Sequence, residues 1–161
     1  MGEFTNSAEV IEDAQKGRFL AFMIGNEAYG IEIKYVTEII GIQSITEMPE
    51  MPSYVKGIIN LRGRIIPLID VRLRFGKEPR DYDDRTCVIV VGFNGFSYGL
   101  IVDSVYEVLS IPDEKMSPLP EINTAASNKF IKSIGKTSSG IVLVVDCEKL
   151  LSQEDIGEIS A

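Results

Sequence analysis

The amino-acid sequence predicts an all-β protein of two small five-stranded barrels packed together, with short helical segments. Three observations carry this. Ile and Val number 35 against 17 for Leu and Ala, and β-branched side chains suit a pleated, half-buried surface while costing rotamer freedom in a helix. Fourteen Gly and seven Pro supply the turns of a many-stranded chain. The third observation is an internal repeat. Residues 24–31 (IGNEAYGI) are echoed by 93–100 (FNGFSYGL) at an offset of 69 positions, which also pairs Val36 with Val105 and Glu38 with Glu107. Residues 65–70 (IIPLID) are echoed by 141–146 (IVLVVD) at an offset of 76. The change of offset places a longer loop in the second copy, around 119–128. Two copies are too few for a solenoid, which leaves two packed units.

Ten strands are expected, over 19–24, 29–33, 39–45, 55–61, 65–70, 86–93, 97–102, 105–111, 129–134 and 141–146. Asn94-Gly95 between apolar runs signals a tight hairpin, because a type I′ turn needs positive φ at both central positions, and Gly25-Asn26 serves the first copy. Pro67 cannot donate to a ladder, so its strand is expected to be an edge or to carry a bulge. Each copy closes on an Asp followed by a short helical pattern. Asp70 and Asp146 are N-cap candidates, since a carboxylate there accepts orphan backbone N–H groups. Residues 1–16 and 152–161 read as flexible tails and 77–84 as a linker.

Composition excludes much chemistry. The chain has 161 residues and no His, which removes Ser-His-Asp and Cys-His nucleophiles, His-ligated zinc or haem and a phosphohistidine relay within this chain. No phosphate-cradling glycine motif occurs. Asp81, Asp83 and Asp84 cluster without the Gly and terminal Glu of a calcium loop, beside Arg85. Cys87 and Cys147 read as inert small hydrophobes. No apolar run approaches the roughly 20 residues of a membrane helix. The N-terminus lacks a secretion signal, and the cytoplasm is the expected compartment.

The net charge is −8, against global affinity for nucleic acid or anionic membrane. Residues 56–77 nonetheless hold six basic residues and one acid, Asp70. A small barrel tracking phosphates with this stretch is therefore one reading, opposed by the acidic remainder and by strands without interleaved exposed aromatics. Arg62 and Arg64 flank Gly63 at an apparent hairpin turn. A planar guanidinium there suits a carboxylate or backbone carbonyls.

The segments YGIEI (29–33), V-x-E-I (36–39), VKGIINLRG (55–63), IPLIDVR (66–72) with Phe75, and V-D-x-V (102–105) resemble the family of chemotaxis coupling proteins, the CheW-like proteins, over most of the chain. The resemblance implies one domain, 17–161, of two SH3-like β-barrel subdomains (17–80 and 85–151) around a shared apolar seam. It implies a non-catalytic adaptor without cofactor or metal. Its partners would be methyl-accepting chemoreceptor tips and the regulatory domain of the histidine kinase CheA, at membrane-associated receptor arrays in the cytoplasm. Service to another chemosensory pathway, such as that of the type IV pilus, is the related alternative. The family's receptor groove maps onto Val36, Glu38, Gly57, Arg62 and Val108. There Arg62 would be the polar anchor, Val36 and Val108 apolar area, and Gly57 a point of close approach or a special turn. The kinase contact maps onto the loop at 117–122, with Glu121 and Ile122, the latter standing where family members commonly present a larger aromatic.

Overall fold

A computed structural model describes residues 16–120 and 129–151. Among these residues eleven strands form: β1 (Arg18–Ile24), β2 (Glu27–Glu32), β3 (Val36–Gly41), β4 (Val55–Leu61), β5 (Arg64–Asp70), β6 (Cys87–Phe93), β7 (Phe96–Val102), β8 (Ser104–Ser110), β9 (Met116–Pro118), β10 (Ile131–Thr137) and β11 (Gly140–Val145). Two single-turn helices, α1 (Val71–Arg74) and α2 (Cys147–Leu150), follow β5 and β11. The expected all-β class is what the chain builds. The additional strand, β9, is three residues long and ends in Pro118, too short and too poor in donors for its pattern to signal a strand. The strand expected at 39–45 starts earlier and leaves the sheet at Gly41. Ile42 and Ile45 then turn in to pack on a buried cluster.

Two sheets form, in the orders β8-β1-β2-β11-β10-β9 and β3-β6-β7-β5-β4. They do not follow the repeats in chain order, and here the structure departs from two units made of 17–80 and 85–151. The opening hairpin of the first repeat, β1-β2, joins the sheet of β8 to β11; that of the second, β6-β7, joins β3 to β5. The exchange is reciprocal. Of its four joints, β1 with β8 and β3 with β6 are antiparallel; β2 with β11 and β5 with β7 are the only parallel pairings among the described residues, and they share a register, Gly30 opposite Val144 and Gly99 opposite Leu68. Even the outermost element is matched: Thr46 exchanges two 2.9 Å backbone bonds with Ile58, as Ser117 of β9 pairs with Ile134.

Each sheet wraps a small core of its own, Ile59, Leu61, Ile66 and Leu68 with Val88, Val90 and Ile101 in one, Phe19, Ile111, Val142 and Val144 in the other. A larger cluster fills the seam between them. Phe22, Tyr29, Phe75 and Phe130 stack along it at successive ring separations of 5.7, 5.2 and 5.7 Å. Arg74 lies buried among these apolar groups, 4.4 Å from the Tyr54 ring and 4.6 Å from that of Phe130, and donates to the carbonyl of Leu150 at 3.2 Å. Tyr54 and Phe130 are equivalent positions of the repeat, so one guanidinium of α1 joins the two halves by cation–π contact and by capping the end of α2.

The local turn chemistry follows the sequence. Asp70 accepts from the Leu73 N–H at 3.2 Å and Asp146 from that of Lys149 at 3.1 Å, so both are N-caps. Asn94 and Gly95 have φ of +52° and +81°. In the first copy only Gly25 is positive, at +61°, an arrangement that favours Gly at the first turn position. Pro67 requires a correction, because β5 is an interior strand. The irregularity sits in its partner β4, between Val55 and Gly57. Ile58, opposite Pro67, turns its N–H and C=O outward to Thr46, so Pro67 faces β7, and the parallel ladder there begins only at Leu68.

Candidate functional site

The turn between β4 and β5 consists of Arg62 and Gly63, with φ of +52° and +87°. A left-handed conformation favours Gly or Asn and costs an arginine on the order of 1 kcal/mol. The turn is held from within, the Gly63 N–H donating to Asn60 Oδ1 at 2.8 Å. It thrusts the Arg62 side chain, 67% exposed, away from the sheet. The guanidinium pairs with the Glu38 carboxylate. Glu38 lies on β3, at the opposite margin of the same sheet, so the ion pair spans the sheet's open side. The equivalent positions in the second repeat are Glu107 and Ser138, which have no cation between them. The clasp belongs to one sheet only.

Val36 precedes Glu38 by two residues and is half-buried against the seam. Thr37 between them bulges out of register and donates to the Val90 carbonyl at 3.0 Å, which leaves Val36 and Glu38 on one side of the irregularity each. Gly57 is buried at the β4 irregularity. Its φ is +146°, and a Cβ built there would stand 2.2 Å from the Thr46 carbonyl oxygen. The close approach expected of this glycine is thus made by the chain's own segment at Thr46, and Gly57 shapes the strand that leads to Arg62. Val108 is 45% exposed, on β8 at the margin of the other sheet. Arg62 and Glu38 are therefore in contact and Val36 is two residues from Glu38 on β3, whereas Val108 lies on the other sheet and no contact joins it to the clasp among the described residues. Glu121 and Ile122 lie outside the described residues.

Three exposed apolar side chains of the same sheet are absent from the sequence-derived site. Ile39, on β3, is 44% exposed and is the repeat equivalent of Val108; that equivalence at offset 69 was the available signal. Ile65 is 60% exposed, three positions beyond Arg62. Arg64 donates to Ser97 at 2.5 Å, so this end of β5 runs beside the start of β7, where Phe96 is also exposed. Nothing local distinguishes Ile65 from the buried Ile66 that follows it; only the direction of the pleat does.

The basic run 56–77 does not form one face. Arg72 pairs with Asp103 and Lys77 with Glu27, Arg62 with Glu38, and Arg74 is buried. Phosphate tracking needs these charges free and aligned. Asp83 of the acidic linker accepts from the Arg85 N–H at 2.8 Å, which holds its carboxyl below the usual range, and pairs with Arg80. Burial pushes the Cys147 thiol up to about 12, so it is protonated at neutral pH. Among the described residues, no group of three or more His, Cys, Asp or Glu is disposed to hold a metal. No helix among them is long and apolar enough to cross a membrane.

Comparison with known proteins agrees with this architecture. The family model for the CheW-like domain matches residues 18–155. The chain is 40% identical over 138 residues to the chemotaxis protein CheW of Klebsiella aerogenes, covering 86% of this chain and 83% of that one. It is 34% identical over 137 residues to the chemotaxis protein CheW of Helicobacter pylori, covering 85% and 82% respectively. Among solved structures, the scaffolding protein TtCheW of Thermoanaerobacter tengcongensis superposes with a TM-score of 0.78 at 36% identity, over 84% of this chain and 92% of that one. With a family match across nearly the whole chain, and a fold shared with a solved member, this protein belongs to the CheW-like domain family.

Proposed function

We propose that this protein is a non-catalytic adaptor of chemotaxis, joining the cytoplasmic tip of a methyl-accepting receptor to the regulatory domain of the histidine kinase CheA. The observation that carries the reading is the clasp on one of two otherwise matched sheets. Arg62 is held in a strained turn, exposed, with its guanidinium directed by Glu38, on a sheet that also carries the exposed Ile39 and Ile65. An exposed arginine on a surface with apolar side chains is the composition of a protein-docking hot spot. The reading places the protein in the cytoplasm, recruited to receptor arrays. An adaptor needs two faces and a folded body that relates one to the other, and the shared seam supplies the body. Each contact on so small a domain is modest, so array avidity supplies much of the effective affinity.

The test is calorimetric titration of the whole protein with a receptor-tip fragment and, separately, with the kinase regulatory domain. Saturable binding of both, with receptor affinity lost in Arg62→Asp at unchanged melting temperature, is the expected result. Binding of neither partner overturns the reading.

A further inference from the structure

The two chain crossings between the sheets, equivalent by the repeat, are fastened differently. At the crossing from β7 to β8, Asp103 gathers four donor contacts from three segments. Its Oδ2 accepts from the Gly25 N–H at 2.7 Å, from Arg72 Nη2 at 2.8 Å and from Arg80 Nη1 at 3.0 Å, and its Oδ1 accepts from Arg72 Nε at 3.2 Å. Gly25 is the tip of the β1-β2 hairpin in the six-stranded sheet. Arg72 belongs to α1, which follows β5 of the five-stranded sheet, and Arg80 to the linker between the repeats. Arg72 also donates to the Glu78 carbonyl at 3.2 Å, extending its hold on that linker. The Arg72–Asp103 pair is largely shielded from solvent, at 17% and 13% exposure, where charge-assisted bonds are least screened.

At the other crossing, β2 to β3, the equivalent of Asp103 is Lys34, that of Arg72 is Glu148 and that of Gly25 is Asn94. The charges are complementary there too, with the signs exchanged. Yet Lys34 is half exposed and pairs at 3.6 Å with Glu32, two residues away on its own segment. Among the described residues no ion pair joins it to Glu148. This crossing leads directly into Val36 and Glu38.

We propose that Asp103 is the latch that fixes one sheet to the other, and that the unlatched crossing at Lys34 lets a partner docked at Glu38 and Arg62 change the angle between the sheets about the Asp103 side. The inference rests on the adaptor reading and deepens it, naming the element through which one face senses the other. Coupling between two faces requires a body whose arrangement both faces bias. With Arg74 joining the halves between α1 and α2, two crossings of which one is fastened and the other is not provide that bias. A seam fastened on both sides would not turn, and one free on both would transmit nothing. Asp103 is in this scheme a positioning residue and touches neither partner.

The experiment compares the parent protein with Asp103→Asn by amide hydrogen exchange, by the two separate titrations, and by receptor control of kinase activity in reconstituted arrays. The expected result is exchange at Gly25 and across 78–83 faster by roughly tenfold or more, the scale of losing one charge-assisted bond from a local opening equilibrium. Both affinities stay within about twofold while receptor control of the kinase is lost. Arg80→Gln alters an exposed side chain and carries the same readouts in smaller degree should Asp103→Asn fail to fold. Unchanged exchange at Gly25 with intact kinase control in these variants overturns the latch. So does exchange that quickens equally at Gly25 and around Lys34, which is general loosening. If the parent protein binds neither partner, the adaptor reading fails, and exchange at Gly25 relative to Lys34 still decides whether Asp103 fastens the sheets.

Discussion

Arg62 donates to Glu38 across the open side of the five-stranded sheet, tying the turn beyond β4 to the strand at the opposite margin. Both side chains are solvent-accessible, so the pair itself contributes at most about 1 kcal/mol, comparable to the cost of holding Arg62 at positive φ. Stability gives no reason for an arginine here. Arg62→Gly relieves the backbone and is expected to leave the protein as stable as the parent or more so, by up to roughly 1 kcal/mol in urea unfolding. Arg62→Ala keeps the strain and is expected to be the less stable of the two. Both weaken binding of a receptor-tip fragment by roughly tenfold or more if Arg62 is its anchor. A variant that gains stability and loses affinity separates function from folding at one position.

Features set by contacts a few residues apart were legible in the sequence. Asp70 and Asp146 cap turns that begin at the next residue, and Asn94-Gly95 closes a hairpin between its immediate neighbours. The strand exchange was not, because the neighbour of a finished hairpin is chosen by apolar surfaces far apart in the chain. Gly30 beside Val144 is such a choice. The partner of Arg62 was hidden for the same reason. Glu38 is 24 residues away and comes into reach only when β3 and β4 take opposite margins of one sheet. Ile39 lay within reach of sequence reasoning, since Val108, its equivalent in the second copy, was already a candidate.

Gly57 tests how a buried backbone position reaches an exposed site. With φ at +146° and the Thr46 oxygen 2.2 Å from any Cβ, Gly57→Ala forces the 42–54 segment off β4 and breaks the two Thr46–Ile58 bonds. A loss of roughly 3 kcal/mol is expected from the clash and strain together, read as a lower urea midpoint. Receptor affinity measured well below the variant's melting temperature should then fall less than in Arg62→Ala. A larger fall in a fully folded Gly57→Ala would mean that the partner contacts this strand directly.

The matched glycines of the two parallel joints are predicted to differ. A Cβ on Gly99 would stand 2.4 Å from Leu68 Cδ2 and 2.8 Å from Val88 Cγ1, inside a filled core. On Gly30 the nearest atom is Val142 Cγ1 at 3.1 Å. Neither residue needs positive φ, so the difference is one of packing. Gly99→Ala is expected to cost about 2 kcal/mol and Gly30→Ala less than about 1 kcal/mol, both read from thermal unfolding. Equal costs would show that the β5–β7 joint relaxes as easily as the β2–β11 joint.

Acid stability should report Asp103. Burial alone would raise its carboxyl, but the hydrogen bond from Arg72, the Gly25 N–H and the charges of Arg72 and Arg80 outweigh burial and hold it below the ordinary carboxylate range. A carboxyl depressed in the folded state adds stability that is fully present above its unfolded value, about 3.9, and is lost as pH falls through the lower folded value. Asp83 is depressed as well, chiefly by the Arg85 N–H, and pairs with the same Arg80, so the acid limb of the parent contains both groups. Asp103→Asn removes one. Its unfolding free energy is expected to be lower than the parent's at pH 7 and to decline less steeply between about pH 5 and 2, so that the two curves converge in acid. Parallel curves across that interval would mean that Asp103 titrates alike in the folded and unfolded chains, and that its four hydrogen bonds do not favour the carboxylate.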